Sequence, residues 1–185
     1  MRYLVFIAII TVFLVTLASA QSAKSGELMT VDKVDLNRYA GKWYEIAKYP
    51  NRFQKQCVGD TTAVYTLKDD GRIEVLNACR TKDGTFTSAV GEGKIGDKQT
   101  NSKLKVRFAP GFVSWLPFVW ADYWILDLGH DYEYVMIGEP SRNYFWILSR
   151  TPEMNDVKYR ELLDKAKAIG FDPAKVEKTK QGTGN

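Results

Sequence analysis

The chain has 185 residues, 45% of them hydrophobic, which suits one domain with a substantial apolar core. Its 26 lysines and arginines against 22 aspartates and glutamates give a formal net charge of +4. Because the basic residues are scattered among acids, the composition does not indicate nucleic-acid binding. The single histidine argues against a histidine-rich metal site, so we expect no metal and no cofactor.

The N-terminus has the pattern of an export signal. Arg2 precedes an apolar run over Leu4–Leu17, and Ala18–Ser19–Ala20 supplies the small residues of a cleavage site. A membrane anchor is the alternative, but the run is too short to span a bilayer comfortably. The predicted organisation is a signal peptide over 1–20, a flexible leader over 21–30, one folded domain over 31–180 and a disordered tail over 181–185.

Cys57 and Cys79 are the only cysteines. In an oxidising compartment an even number of cysteines favours a disulfide over free thiols, so we predict a bridge between these two. A metal or redox role is the alternative, but Cys-x-x-Cys spacing and partner histidines are missing.

Short strand-like runs then follow at the regular spacing of an all-β barrel or sandwich. Asp69–Asp70–Gly71 is a clear hairpin turn. Ser102–Phe108 alternates, which predicts an apolar face ending in Phe108 and a solvated basic face ending in Arg107. The predicted strands are Lys42–Tyr49, Asp60–Lys68, Arg72–Arg80, Thr85–Ile95, Ser102–Phe108, Asp122–Leu128, Tyr132–Gly138 and Asn143–Ser149.

One helix follows the strands. Thr151 is expected to cap it, and an apolar face that includes Val157 places the helix near Asn155–Ile169, before Gly170. A short extended segment, Ala174–Lys178, is expected to pair at an edge. The predicted fold is therefore an all-β, eight-stranded antiparallel up-and-down barrel with a C-terminal α-helix packed outside. Such a barrel is just wide enough to hold one small ligand.

Two distant segments resemble the lipocalin family, in its branch of bacterial lipocalins and apolipoprotein D. Gly41–Lys42–Trp43 matches the Gly-x-Trp signature, and Tyr144–Pro152 resembles the signature at the end of the last strand. The similarity extends from about Val31 to Lys180. The middle signature falls on His130–Asp131–Tyr132 rather than on the similar Ala121–Asp122–Tyr123. The resemblance implies that the Arg150 guanidinium lies across the Trp43 indole. It implies structural roles for Gly41, Trp43, Asp131, Tyr132 and Arg150.

The resemblance also implies a ligand pocket lined by Tyr65, Asn77 and Trp146. The alternative is that these side chains only pack and hydrogen-bond inside the barrel. The implied ligand is a fatty acid, a lysophospholipid or a similar apolar molecule, and the implied function is its binding, storage or transport in the cell envelope. We expect no catalysis. A barrel enzyme with an interior acid pair, for instance Glu45 with Glu92, is the remote alternative.

A long apolar loop separates the fifth and sixth strands. It is too hydrophobic for an ordinary surface connection, so we expect it to cover something: lipid at the mouth or a membrane, a second copy in a homodimer, or its own barrel. The same loop supports a second hypothesis, a partner-binding or inhibitor protein. The loop residues to test are Phe112, Trp115, Leu116 and Phe118.

The predicted location follows from the signal peptide. Many bacterial relatives carry a lipid-modified cysteine directly after the signal, whereas this junction reads Ala18–Ser19–Ala20–Gln21. We therefore expect an exported protein that is periplasmic or associated with the outer membrane, or alternatively secreted, and that is not a lipoprotein.

Overall fold

The computed structural model describes residues 26–109, 111 and 116–182. The predicted signal peptide lies outside the described residues. All eight predicted strands are present, and each bound lies within three residues of its prediction because alternation and turn residues mark both faces and ends. The strands are β1 Gly41–Lys48, β2 Cys57–Leu67, β3 Ile73–Thr81, β4 Phe86–Ile95, β5 Lys103–Arg107, β6 Ala121–Leu128, β7 Tyr134–Gly138 and β8 Phe145–Ser149.

The strands form one antiparallel sheet that closes on itself. Each strand from β2 to β8 pairs with the next in the chain, and β1 pairs with both β8 and β2. Only Gly41–Tyr44 of β1 reaches β2, and Ala47 and Lys48 pair instead with a ninth strand, β9 Glu177–Lys178. The predicted extended tail therefore completes the wall where β1 and β2 separate.

The helix α2, Asp156–Ala168, packs on the outside of the barrel. Its N-cap is Asn155, whose side chain accepts from the amides of Val157 and Lys158. The predicted Thr151 cap is wrong, because the Thr151 hydroxyl donates instead to the carbonyl of Glu153. Val157 is also not on the buried face, with 65% of its surface exposed, and Tyr159, Leu162 and Ala166 face the barrel. No helix within the described ranges has the length and hydrophobicity to cross a bilayer.

A short helix, α1 Leu36–Tyr39, covers the end of the barrel where β1 begins and β8 ends. The carbon of the Arg150 guanidinium lies 3.8 Å from the centre of the Trp43 ring, as the sequence suggests. The same guanidinium donates to the carbonyl oxygens of Lys42, Arg38, Tyr39 and Ala40 at 2.6–3.1 Å. A single cation thus fixes α1 and the first residues of β1 to the end of β8.

The other three signature positions lie at the same end of the barrel, where Asp131 Oδ1 is 3.9 Å from Arg38 Nη2 of α1. Gly41 adopts a positive φ of 94°, and a Cβ there would come within 3.4 Å of Arg150 Nη1. The Tyr132 hydroxyl accepts from the main-chain amide of Asp35, and its ring lies under the Arg38 guanidinium. The predicted structural residues are therefore gathered at the closed end.

The predicted disulfide between Cys57 and Cys79 is present and links β2 to β3. In the described part of the leader, 26–30, the Leu28 side chain packs against the outer core and is only 4% exposed. Gln181 donates from Nε2 to the carbonyls of Glu45 and Thr61, which anchors the tail between β1 and β2.

We predict that Arg150→Lys lowers the free energy of unfolding by about 2 kcal/mol, because an ammonium cannot stack on the indole and reach several carbonyls together. Urea unfolding followed by circular dichroism measures this change. Arg160→Lys on the exposed side of α2 is the matched control and should change stability by less than about 0.5 kcal/mol. Equal losses in the two variants would contradict the role given to Arg150.

Candidate functional site

The floor of the barrel is a chain of three tyrosine hydroxyls. Tyr123 Oη lies 2.6 Å from Tyr39 Oη and 2.9 Å from Tyr65 Oη. Burial raises the pKa of Tyr65 to about 12 and raises the pKa values of Tyr39 and Tyr123 well above their usual range. All three hydroxyls therefore stay protonated, and the floor satisfies its polar groups internally.

Above this floor the inner wall is accessible. Asn77 pairs with Ala63 of the core and so faces inwards, yet it is only half-buried and its amide has no hydrogen bond within the described part of the chain. Trp146 packs against the same inner core and is also half-buried. On the inner face of β4 next to Asn77, Thr87 and Ala89 are small and exposed, whereas the Phe108 ring lies against Gly91. The upper half of the barrel is thus an open cup.

The structure therefore brings Tyr65, Asn77 and Trp146 to one inner surface, at two depths. Tyr65 belongs to the closed floor, whereas Asn77 and Trp146 belong to the accessible wall. Tyr123 is a floor residue that the sequence analysis missed, although it alternates with buried Ile125 on β6. Ligand contact by the three predicted residues stays a prediction.

A polar network connects the cup wall to the mouth loop and the tail. The Trp146 indole N–H donates to Gln54 Oε1 at 3.2 Å, and Gln54 Nε2 donates to Glu45 Oε2 at 2.6 Å. The Thr179 hydroxyl donates to Glu45 Oε1 at 2.5 Å. Gln54 lies in a 3-10 helix, Arg52–Gln54, after β1, and Thr179 follows β9. Neither segment has a periodic pattern, so the sequence could not place them here.

Glu45 is 3% exposed and faces inwards, because it pairs with Leu148 of the inner core. Burial raises the pKa of its carboxyl, and the hydrogen bonds from Thr179 and Gln54 lower that pKa in part. Glu92 is not near it: Glu92 lies on the outer face and forms ion pairs with Arg72 and Arg107. The interior pair of acids considered for an enzyme is therefore absent.

The end of the apolar loop packs on the outside of its own barrel. The Trp120 ring lies 4.0 Å from Lys94 Nζ and 5.1 Å from the Arg107 guanidinium carbon. This covering explains why Arg107, predicted to be solvated, is only 7% exposed, whereas Phe108 is 46% exposed at the mouth. Phe118 is 79% exposed and Leu116 is half-buried. Phe112 and Trp115 lie outside the described residues.

The described residues contain no cluster of His, Cys, Asp or Glu side chains that could hold a metal ion. The His130 side chain is 96% exposed beside Asp131 on the turn before β7, and the His130 carbonyl accepts from Arg38 of α1 at the closed end. The described chemistry of the cup is thus hydrogen bonding and apolar contact around one buried carboxyl.

A closed barrel with a packed floor and an accessible apolar cup defines the class of small-molecule-binding β-barrels. A family model described as a lipocalin-like domain matches residues 34–181. The chain belongs to the lipocalin family, whose members generally bind or transport small hydrophobic ligands and are not enzymes.

The relatives extend over most of the chain. Temperature-induced lipocalin-1 of Arabidopsis thaliana is 42% identical over 156 residues, 84% of this chain and 83% of that protein. The outer membrane lipoprotein Blc of Escherichia coli is 34% identical over 177 residues, 95% of each chain. Apolipoprotein D of Mus musculus is 32% identical over 187 aligned residues, 91% and 93% of the two chains. The predicted branch is therefore confirmed.

Solved structures agree on the fold. Insecticyanin from the tobacco hornworm Manduca sexta superposes with a TM-score of 0.66 at 22% identity, covering 85% of this chain and 86% of that one. Apocrustacyanin C2 superposes with a TM-score of 0.62 at 19% identity, covering 80% and 81%. At these identities the likeness concerns the barrel alone.

We predict that the stability of the protein contains a component that falls as the pH rises through the raised pKa of Glu45. The folded state holds the Glu45 proton more tightly than the unfolded state, so this component is fully present below the unfolded pKa and is lost above the folded one. Urea unfolding between pH 4 and pH 8 measures it.

The comparison is with Glu45→Gln, which cannot titrate and should lack this component even if its absolute stability is lower. The pKa of Asp60 is lowered, chiefly by the Arg80 hydrogen bond, so its contribution to stability increases as the pH rises. This contribution is the same in both proteins and cancels when their stabilities are subtracted. A difference between the two proteins that does not change with pH would show that Glu45 does not titrate in this range.

Proposed function

We propose that the protein binds and carries a single lipid-like molecule, a fatty acid or a lysophospholipid, in the cup above the tyrosine floor. The observation that carries the proposal is the contrast between the two halves of the barrel. Below, every tyrosine hydroxyl is paired and buried; above, Asn77 and Trp146 face inwards and remain accessible. An apolar wall with a few oriented polar groups is the usual composition of a small-molecule site.

Affinity would come from removing acyl chain from water, at about 25 cal/mol per Å² of apolar surface buried. The small inner side chains of β4 leave room for the chain beside Trp146. The Asn77 amide, which has no hydrogen bond to another described residue, offers its NH2 group as a donor and its carbonyl oxygen as an acceptor to an ester or hydroxyl group of the ligand. Binding therefore requires no reorganisation of the hydrogen-bonded floor.

For the location we propose the cell envelope, either the periplasm or the outer-membrane surface, with secretion as the alternative. The Cys57–Cys79 disulfide supports an oxidising compartment. The relatives named above include an outer membrane lipoprotein, which supports the envelope, but this chain has no cysteine at the predicted cleavage junction.

The test is isothermal titration with 1-palmitoyl-lysophosphatidylcholine below its micelle concentration. We predict one-to-one binding by the native protein and about tenfold weaker binding by Asn77→Asp, because an acyl chain would then have to desolvate a carboxylate in the wall. Leu76→Asp is the matched control, since Leu76 is the preceding residue and faces outwards with 38% exposure. It should bind like the native protein.

Two results would count against the carrier function. The first is absence of binding of both lysophosphatidylcholine and palmitate by the native protein. The second is an equal loss of affinity in Asn77→Asp and Leu76→Asp, which would place the ligand somewhere other than the cup.

A second proposal concerns the apolar loop, and the exposure of Phe118 favours it. Trp120 anchors the loop end to the barrel, while the Phe118 ring stands in solvent at 79% exposure. A large exposed aromatic next to the mouth suits peripheral contact with a membrane that supplies the lipid. A homodimer, or a protein partner bound by this loop, is the alternative use of the same surface.

We predict that Phe118→Asp weakens sedimentation with phosphatidylcholine–phosphatidylglycerol vesicles about tenfold, because the ring no longer leaves water. Met29→Asp is the control: Met29 is 71% exposed but lies in the N-terminal leader. Vesicle binding that both variants retain would exclude the membrane role. A concentration-dependent mass in ultracentrifugation, lost only in Phe118→Asp, would assign the loop to self-association instead.

A further inference from the structure

The β1 wall of the cup carries more negative than positive charge. Among the described residues, three charged side chains lie on this wall: Glu45, Lys48 and Glu177. Lys48 is at the rim, in register with inward Trp146, and Glu177 lies beside it. Lys48 Nζ lies 3.4 Å from the Glu177 carboxylate. The rim pair is therefore neutral as a unit, and the charge of Glu45 is left without an ion pair in the described part of the chain.

The hydrogen bonds of the network fix the orientation of the Gln54 amide towards Glu45. An indole N–H can only donate, so the Trp146 contact fixes Gln54 Oε1 as the acceptor. Asn51 Nδ2 donates to the same Oε1 at 2.6 Å. Gln54 must then present its Nε2 donor to Glu45, whose other oxygen receives the Thr179 hydroxyl. Above its raised pKa, the Glu45 carboxylate therefore accepts a hydrogen bond at each of its oxygens.

The remaining groups around Glu45 offset its charge only in part. Tyr65 on β2 stays neutral because its hydroxyl is buried and paired with Tyr123. Lys48 is near enough to act on Glu45 but is committed to Glu177. The strongly basic residues Arg72 and Arg107 lie on the outer face with Glu92. A second anion that enters the cup therefore approaches a negative charge that its neighbours offset only in part.

We propose that Glu45 is a specificity-determining residue that excludes anionic groups from the cup and so favours lysophospholipids or other amphiphiles with an uncharged group next to the chain over fatty-acid anions. The inference rests on the proposed function and names its ligand class. In a lysophospholipid the glycerol ester and hydroxyl follow the chain, and the phosphate lies further out towards solvent. In a fatty acid the charge is at the chain itself.

Glu45 does not touch the ligand, because it is only 3% exposed. It acts through its field, and Gln54 and Thr179 position it. The C-terminal tail therefore contributes to ligand selection from outside the predicted pocket residues, through the single hydroxyl of Thr179.

The experiment compares three amphiphiles of equal chain length and different charge, each below its micelle concentration: palmitate, hexadecanol and hexadecyltrimethylammonium. Affinities are measured at pH 8 by tryptophan fluorescence for the native protein, Glu45→Gln and Glu45→Asp. The control Glu92→Gln removes a carboxylate of the outer face and gives the same change in net charge.

We expect Glu45→Gln to raise the affinity for palmitate about tenfold, to lower that for the ammonium compound by a similar factor, and to leave hexadecanol unchanged. Glu45→Asp keeps the charge and should keep the native order of the three ligands even where its stability is lower. Glu92→Gln should also keep that order. Opposite responses of anion and cation are an electrostatic signature that a loss of packing cannot produce.

Changes of the same direction for all three ligands in Glu45→Gln would overturn the inference and give Glu45 a structural role. So would an unchanged order of affinities in a Glu45→Gln protein that remains folded. If the native protein binds none of the three amphiphiles, nor lysophosphatidylcholine, the proposed function itself fails. That outcome is distinct from the failure of the charge selection.

Discussion

The rest of the structure depends on the contact of Arg150 with Trp43. A barrel closes only where its first and last strands meet, and here the cation at the end of β8 covers the indole of β1 at 3.8 Å. It also donates hydrogen bonds to carbonyl oxygens at the C-terminal end of α1, which no intrahelical bond satisfies. One side chain therefore joins α1, the first strand and the last strand. A lysine could not supply the same fork of donors.

Because Trp43 points into the barrel, Glu45, two residues further along β1, also points into the cup. Side chains alternate along a strand, so Glu45 must share the inner face with Trp43. A bulge between Glu45 and Ala47 then changes the register, which turns Ala47 towards the outer core under α2. The carboxylate remains inside because closure requires the tryptophan there, and its burial is offset by donors from Gln54 and Thr179.

The sequence predicted the barrel because its strands carry two independent signals, alternation and turn residues, and their ends agree with the structure to within three residues. It failed where a distant segment decides burial. Arg107 continues a solvated face in the sequence but is covered by Trp120. The Thr151 cap failed for a local reason, because Thr151 bonds to the Glu153 carbonyl and Asn155 caps the helix. Within the cup, Asn77 and Trp146 were expected from the family resemblance, whereas Gln54 and Thr179 come from aperiodic segments that only the folded chain brings to Glu45.

The gap between β1 and β2 explains why the C-terminal tail reaches Glu45 on the inner wall. β1 leaves β2 after Tyr44, and the backbone groups beyond that point need other partners. The tail supplies them: the Thr179 amide donates to the Ile46 carbonyl, and Gln181 bridges the carbonyls of Glu45 and Thr61. A segment recruited to satisfy the backbone of the wall thereby places a hydroxyl on Glu45. The same segment therefore closes the wall and contacts the carboxyl of the cup, so we expect substitutions in the tail to change ligand affinity.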